Sequence, residues 1–486
     1  MITPTYQEIK QLAKDYSLVP ICKEIYADII TPITLLRKIS DLSKKYFLLE
    51  SIEGGERWGR YSFIGFDPIT HITCKNKRII ADNKEIAEVD KNKPYSYLRS
   101  VLSEYKAPRL PDMPPFMGGF VGYFSYEMIG YTEPELDLIE NECNDYDLML
   151  FDKVIVYDHL KQKIIIVVNM STKDIDIAYQ KAIEEIYRIN SLINEALPIS
   201  TTKDRDMPEF TCNVTKEEFC EMVDKVKGHI LRGDIFQAVI SRRYEAKYKD
   251  SLLNAYRALR TMNPSPYMVY MQIDEMQLIS ASPETLIKLQ DNKVLTFPIA
   301  GSRPRGRDRQ EDESLRTELL ADEKELSEHN MLVDLARNDI GKISVYGKVK
   351  VSQYQKIHKY SRVMHITSEV EGELEEDKDA FDALEAVSPA GTLSGAPRIK
   401  ACEIIGDIEG VPRGVYGGAI GYIDFTGNMD TCIAIRMALK LKNKVYVQAG
   451  AGIVADSIAE REYEETENKA RALIEAIQKA REVEFL

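Results

Sequence analysis

From Arg60 to Val168 the chain repeatedly spends a few residues on β-branched and aromatic side chains and then stops at Gly, Asp, Asn or Lys. RYSFIGFDP (60–68), HITCKNKRIIADN (71–83), GGFVGYFSYE (118–127), LMLFDKVIVYDH (148–159) and QKIIIVV (162–168) all read this way, the pattern of short strands joined by turns. It returns in FQAVISRRYEA, YMVYMQI, MQLISAS, KVLTFPIAG, GGAIGYIDF, DTCIAIRMALKL and KVYVQAGAGIV, interleaved with helical spacing near 251–262, 314–338, 379–386, 397–405 and 460–481. Between the two sets, DIDIAYQKAIEEIYRINSLINEAL (174–197) has helical spacing, and PISTTKDRDMPEFTCNVT (198–215) is polar and broken by two prolines, which marks a boundary. The next helix, within 215–234, opens on a Thr-x-x-Glu capping box and closes at Gly233.

A chain of 486 residues with 44% apolar content can bury a large core. Its net charge of -14 argues against a nucleic-acid partner. The cysteines at 22, 74, 143, 212, 220, 402 and 432 form no CxxC pair and are odd in number, so reduced, mostly buried thiols are expected rather than a zinc site or a disulfide framework. The N-terminus lacks a signal-peptide core, and the longest apolar runs, such as 164–168, are too short to span a bilayer; a cytoplasmic protein without a membrane partner is expected.

Several stretches can carry chemistry. Glu325 and Glu328 are three residues apart on one helix, and Glu462 and Glu465 repeat the spacing on another, with Glu464 and Glu467 beside them. Oxygen-only ligands from two helices suit Mg²⁺, while either pair alone also reads as a solvated helix face. GTLSGAPRIK (391–400) leads through Pro397 into a helix whose N-terminal amides could hold an anion, though it is not a Walker loop. In QAGAGIV (448–454) two glycines allow close approach of backbone N–H groups to a ligand, or mark a β-bulge. Arg436, alternating with apolar neighbours in IAIRMA, points into a polar pocket or faces water. His365 sits in the apolar strand VMHITSEV, where a hydrogen-bonded core role is the ordinary one. PIAGSRPRG (298–306) runs from a strand end into Gly, Ser and arginines, with Ala300 directly before the Gly.

The order of these motifs, PIAGSRPRG, ELSEHNMLVDLARND, VMHITS, GTLSGAP, GVYGGAIGY, IAIRMA and QAGAGIVADS, resembles the chorismate-utilising enzymes. FLLESIEGGERWGRYSFIG (47–65) and MNPSPYMVYM (262–271) resemble the regulatory segments of anthranilate synthase large subunits. The resemblance implies an α+β fold of two packed, mainly antiparallel β-sheets flanked by helices, an α/β/β/α sandwich. It further implies an N-terminal regulatory region at 1–197 and a chorismate-binding catalytic domain at 213–480.

By the same resemblance, Gly301, Ser302, Tyr416, Arg436 and the amides of Gly450, Ala451 and Gly452 bind chorismate, with Ser302 in place of the family's more usual Thr. Glu328 and Glu465 hold Mg²⁺. Glu325 protonates the departing C4 hydroxyl, His365 assists pyruvate elimination, and Thr392 positions the substrate. Ala300 stands where aminodeoxychorismate synthases, the near alternative, carry a nucleophilic Lys. Gln237 stands where isochorismate and salicylate synthases carry a Lys that activates water. Amination at C2 by ammonia, giving anthranilate, is therefore expected. None of the cysteines lies in a Gly-x-Cys-x-Gly elbow, so a separate glutamine amidotransferase subunit and a hetero-oligomer are expected. Glu50 and Ser51, with Pro264, Ser265 and Pro266, are expected to form a pocket for L-tryptophan as feedback inhibitor. A non-catalytic tryptophan-binding subunit is the alternative from another class.

Overall fold

The computed structural model describes residues 2–51, 59–89, 93–195, 207–360 and 363–483. Residues 52–58 of the 47–65 segment, 196–197 at the end of the N-terminal region and 198–206 of the polar break lie outside the described residues.

Sheets of 13 and 12 strands carry the fold. In the first, Leu18–Tyr26, Lys163–Ser171, Lys153–Asp158, Tyr61–Phe66 and Lys45–Glu50 are followed by Tyr267–Ile273, Met276–Ser282, Met437–Leu441, Lys444–Ile453 and Gln237–Lys247. In the second, Ile299–Pro304, Val363–Glu373, Lys293–Thr296, Thr285–Gln290, Met429–Ile433 and Ala419–Asp424 are followed by Gly119–Phe124, Tyr146–Phe151 and Thr70–Lys75. All these pairings are antiparallel. Each sheet thus runs without interruption from one half of the chain into the other. Lys45–Glu50 pairs with Tyr267–Ile273 in the first, and Gly119–Phe124 with Ala419–Asp424 in the second.

The apolar run at 164–168 has a direct cause in this architecture. Ile165 and Val167 join a core holding Phe47 and Val269 of the first sheet and Phe120 and Ile287 of the second. Ile164, Ile166 and Val168 face the other way, into a core with Leu36, Ile186, Leu259 and Leu473 from the covering helices. A strand buried on both faces cannot alternate polar with apolar. All seven cysteines are free, five of them buried. Among the described residues no helix is long and apolar enough to cross a membrane.

The capping box at Thr215 and Glu218 starts the Lys216–Leu231 helix, a device worth about 1 kcal/mol. One expected helix is two. The 314–338 pattern divides into Arg309–Ala321 and Glu323–Gly341, with Asp322 between them in extended backbone, accepting the amides of Lys324 and Glu325 at 3.1 and 3.2 Å. An Asp that caps the second helix interrupts the first, because its side chain competes for the amides that a continuous helix would use. The QAGAGIV stretch stays in unbroken register from Val445↔Ala246 to Ile453↔Ala238, so the bulge reading does not hold there.

Candidate active site

Chain geometry around Gly301 sets one wall. Ile299–Pro304 pairs with Val363–Glu373, and the register slips between Ala300 and Ser302, leaving Gly301 as the extra residue with φ of +69°. A Cβ at 301 would lie 3.0 Å from Glu325 Oε2 and 3.1 Å from Leu319 Cδ1, so conformation and space both require glycine. His365, opposite Ser302, donates from Nδ1 to the Gly301 carbonyl at 3.0 Å, which makes Nε2 the basic nitrogen. Ala300 is buried.

The arginines that follow are not an anion receptor. Arg303 binds Glu318 at 2.9 Å and Asp322 at 2.8 Å, Arg305 binds Asp312 at 2.8 Å and Arg307 binds Glu311 at 3.0 Å. They staple the turn to the two helices behind it. The same Asp322 receives Arg303 and caps Glu325, fixing the carboxylate-bearing helix against Gly301.

Carboxylates from two helices converge on a second wall. Burial pushes Glu328 up, Glu325 and Glu465 push it further, and Lys324 and Lys469 pull it down. Burial likewise raises Glu462, with Glu465 adding to it. The pairs at 325/328 and 462/465 are thus within electrostatic reach of each other across two helices, with Glu328 and Glu465 themselves open to solvent. Lys469, one turn beyond Glu465, binds its carboxylate at 2.6 Å and donates to the Gly450 carbonyl at 3.0 Å. Among the described residues no cage of three or more His, Cys, Asp or Glu side chains is assembled. Two carboxylates, Glu328 and Glu465, are a donor set that fits Mg²⁺, which keeps waters and completes its shell with an anionic ligand.

Opposite them lies a backbone cradle. Met437–Leu441 pairs with Lys444–Ile453 only as far as Ala438↔Val447, so residues 449–453 have the Gln237–Lys247 strand on one edge and no paired strand on the other among the described residues. The Gly450 carbonyl points to that open edge, where Lys469 reaches it, and amides at 450 and 452 share its direction. Side chains at these positions would collide with Tyr416 Oη, 2.8 Å from a Cβ at 450, and with Gln237 Nε2, 2.7 Å from a Cβ at 452. Ala451 between them is fully buried, opposite Ile240.

Arg436 lies in the crossover between the Met429–Ile433 and Met437–Leu441 strands, one in each sheet, and not in a continuous strand as the alternation suggested. Its φ of +47° is costly for a long side chain, a conformation that surrounding structure must impose. Ser280 Oγ and the Ala281 amide hold the carbonyls of residues 435 and 436 at 2.9 Å. Burial pulls the guanidinium down, while Tyr416 and Glu465 draw it back up; its Nη1 donates to the Lys469 carbonyl at 3.4 Å, on the helix that carries Glu465.

Two residues here escaped sequence reasoning. Glu284, in ASPET, accepts from Thr392 Oγ1 at 3.0 Å, and burial pushes its carboxyl up to about 7 against the opposing pull of Thr392 and Lys469. It lines a small cavity of about 60 Å³ with Thr392, Pro298, Leu332 and Ile433. Arg413 is buried and holds Glu409 at 2.6 Å, while donating to the carbonyls of Leu393 at 2.5 Å and Val239 at 2.6 Å. Glu409 in turn accepts the amide of Ser241, which opposes Gly450. One ion pair thus sets the spacing of the Thr392 loop, the Gln237 strand and the cradle. An arginine in the Gly-rich stretch GVPRGVYGG is the available signal for Arg413; a lone Pro-Glu at a strand start is the weak one for Glu284.

Away from this site, Glu50 opposes Met268, so Ser51 and residues 264–266 lie in chain segments that leave the same end of this strand pair. The Glu50 carboxylate is engaged by Tyr256 at 2.7 Å and Arg260 at 2.6 Å, and Ser265 is buried.

Comparison with known proteins agrees with this geometry. The family model described as chorismate binding enzyme matches residues 44–475, across both halves. Anthranilate synthase component 1 of Acetivibrio thermocellus is 48% identical, covering 99% of this chain and 100% of its own length; that of Aquifex aeolicus is 43% identical, covering 98% of each. The crystal structure of anthranilate synthase component I from Streptococcus pneumoniae superposes with a TM-score of 0.78 at 34% identity over 93% of this chain and 99% of its own. The menaquinone-specific isochorismate synthase of Escherichia coli shares the fold alone, at 18% identity and a TM-score of 0.71 over 97% of this chain and 98% of its own. The chain belongs to the chorismate binding enzyme family, and its nearly full-length likeness within that family is to anthranilate synthase component 1.

Proposed function

We infer that this enzyme converts chorismate and ammonia to anthranilate and pyruvate, the entry reaction of tryptophan biosynthesis. The observation that carries the reading is that Lys469 ties Glu465 to Gly450 of the cradle while Arg436 donates to the Lys469 carbonyl, joining cradle, arginine and carboxylate. Arg436, Tyr416 and the cradle amides take one carboxylate of the substrate. Glu328 and Glu465 would hold Mg²⁺, which supplies positive charge to the other carboxylate when bound.

Ammonia attacks C2 while the C4 hydroxyl leaves as water, and Glu284 is the group best placed in chemical terms to give that leaving group its proton. A carboxyl held near 7 carries a transferable proton at neutral pH. Glu325, assigned this role from the sequence, instead sits 3.7 Å from Arg303 beside Gly301 and borders the ring position. In the second step the C2 proton is removed and the enolpyruvyl group departs from C3, leaving an aromatic ring. His365, with Nε2 as its basic nitrogen, is the candidate for that proton.

The buried Ala300 offers no amine, which separates direct attack at C2 from the lysine-mediated route to aminodeoxychorismate. Ala300→Lys is expected to cut anthranilate output at least tenfold, an order of magnitude for misplacing a group beside the ring, and intact mass will read any adduct. Unchanged output would place residue 300 away from the substrate. The ammonia is supplied by a glutamine amidotransferase subunit in a hetero-oligomer; the "component 1" of the relatives' names supports this.

L-Tryptophan binds where Ser51 meets 264–266. From there the Tyr267–Ile273 strand pairs with Met276–Ser282, whose Ser280 and Ala281 hold the backbone at Arg436, so a shift at the effector segments bears on the substrate's arginine. Inhibition requires tryptophan and chorismate to weaken each other's binding by the same factor. Ser51→Phe is expected to relieve inhibition with uninhibited activity retained. Calorimetry showing no tryptophan binding by the wild type, or full inhibition of the variant, overturns the regulatory reading and leaves the catalytic one standing.

A further inference from the structure

Lys469 joins two walls of the site with one ammonium. Its Nζ lies 2.6 Å from Glu465 Oε1 and 3.0 Å from the Gly450 carbonyl, bridging the carboxylate wall and the cradle. Its charge is also felt by Glu462 on the same helix, by Glu328 on the Glu323–Gly341 helix and by Glu284 just before the Thr285–Gln290 strand. Lys324 is the other cation felt at Glu328 and Glu462, and Arg436 the one felt with Glu465. On the helix surface Glu465 and Lys469 form an i, i+4 pair, yet the same ammonium also reaches the Gly450 carbonyl on another element, which a simple surface pair does not do.

We propose that Lys469 is an internal counter-ion that holds Glu465 until a divalent cation and the dianionic substrate arrive together, so that metal binding and chorismate binding favour each other. A cation approaching Glu465 must displace the ammonium, and without an anion nearby the ammonium would then face the cation at close range. A substrate carboxylate at the cradle gives the ammonium a new partner within reach of Gly450 and releases Glu465. The proposal rests on the reading of Glu328 and Glu465 as metal ligands.

The test is a titration of the full chain with Mn²⁺, followed by the paramagnetic resonance signal of free Mn²⁺, with and without chorismate and with no ammonium or glutamine present. The wild type is expected to bind Mn²⁺ weakly alone and at least about tenfold more tightly with chorismate, the size of effect that one nearby unit charge commonly produces. Lys469→Met is expected to bind Mn²⁺ about tenfold more tightly than wild type without chorismate, and to lose most of the gain on adding it. Lys469→Arg, which keeps the charge, should follow the wild type. Glu465→Gln should abolish the binding and so locate it. If Mn²⁺ binds the wild type but Lys469→Met binds it no more tightly, the counter-ion role is wrong while the metal ligands stand. If the wild type binds no Mn²⁺ even with chorismate, the metal reading fails, and this proposal with it.

Discussion

Glu284→Gln is expected to lower kcat for anthranilate formation by about 10²-fold or more, with KM for chorismate changed only a few-fold. The amide keeps the shape and still accepts from Thr392 Oγ1, but it has no proton to give to the departing hydroxyl. The sign of the pH effect follows from the raised carboxyl. An acid that must be protonated is active below its pKa, so kcat/KM, expressed per free ammonia, should fall as pH rises through about 7 in the wild type. In the variant this limb should vanish along with most of the rate. A pH profile that keeps the limb in Glu284→Gln would move the acid to another group, with Glu325 the first to examine.

Arg413→Leu is expected to destabilise the protein by about 3–5 kcal/mol, since removing one partner of a buried pair strands the other's charge. Here the loss leaves Glu409 uncompensated and deprives the Leu393 and Val239 carbonyls of their donors. The denaturant midpoint of the purified chain reads the change. Leucine at both 409 and 413 should recover part of the loss, because no buried charge is then left alone, although the Ser241 amide still lacks its acceptor. A single Arg413→Leu variant as stable as wild type would mean that the pair is not what spaces the loop, strand and cradle.

The strands were legible because their β-branched and aromatic runs sit between turn residues, and even the unalternating 164–168 run has a reading once both faces are buried. The Thr215 capping box was legible for a similar local reason: both partners lie within one turn. What could not be read depends on contacts far apart in the chain. Arg436 alternates with apolar residues as a strand residue would, and only the crossover between the two sheets gives it a positive φ. Arg303, Arg305 and Arg307 carry the charge of an anion site, but their carboxylates come from helices whose packing the sequence does not display. Lys469 looks like half of a surface i, i+4 pair until the Lys444–Ile453 strand brings the Gly450 carbonyl to its ammonium. Glu284 has no spacing partner at all, since Thr392, which marks it, is 108 residues away.

The most direct measurement supplies the purified chain with chorismate, Mg²⁺ and an ammonium salt, without glutamine or any second subunit, and follows the fluorescence of anthranilate together with the release of pyruvate. The account predicts that both appear in equal amounts and that both are lost in Glu465→Gln. Accumulation of aminodeoxychorismate without pyruvate, or no consumption of chorismate by folded protein, would contradict it.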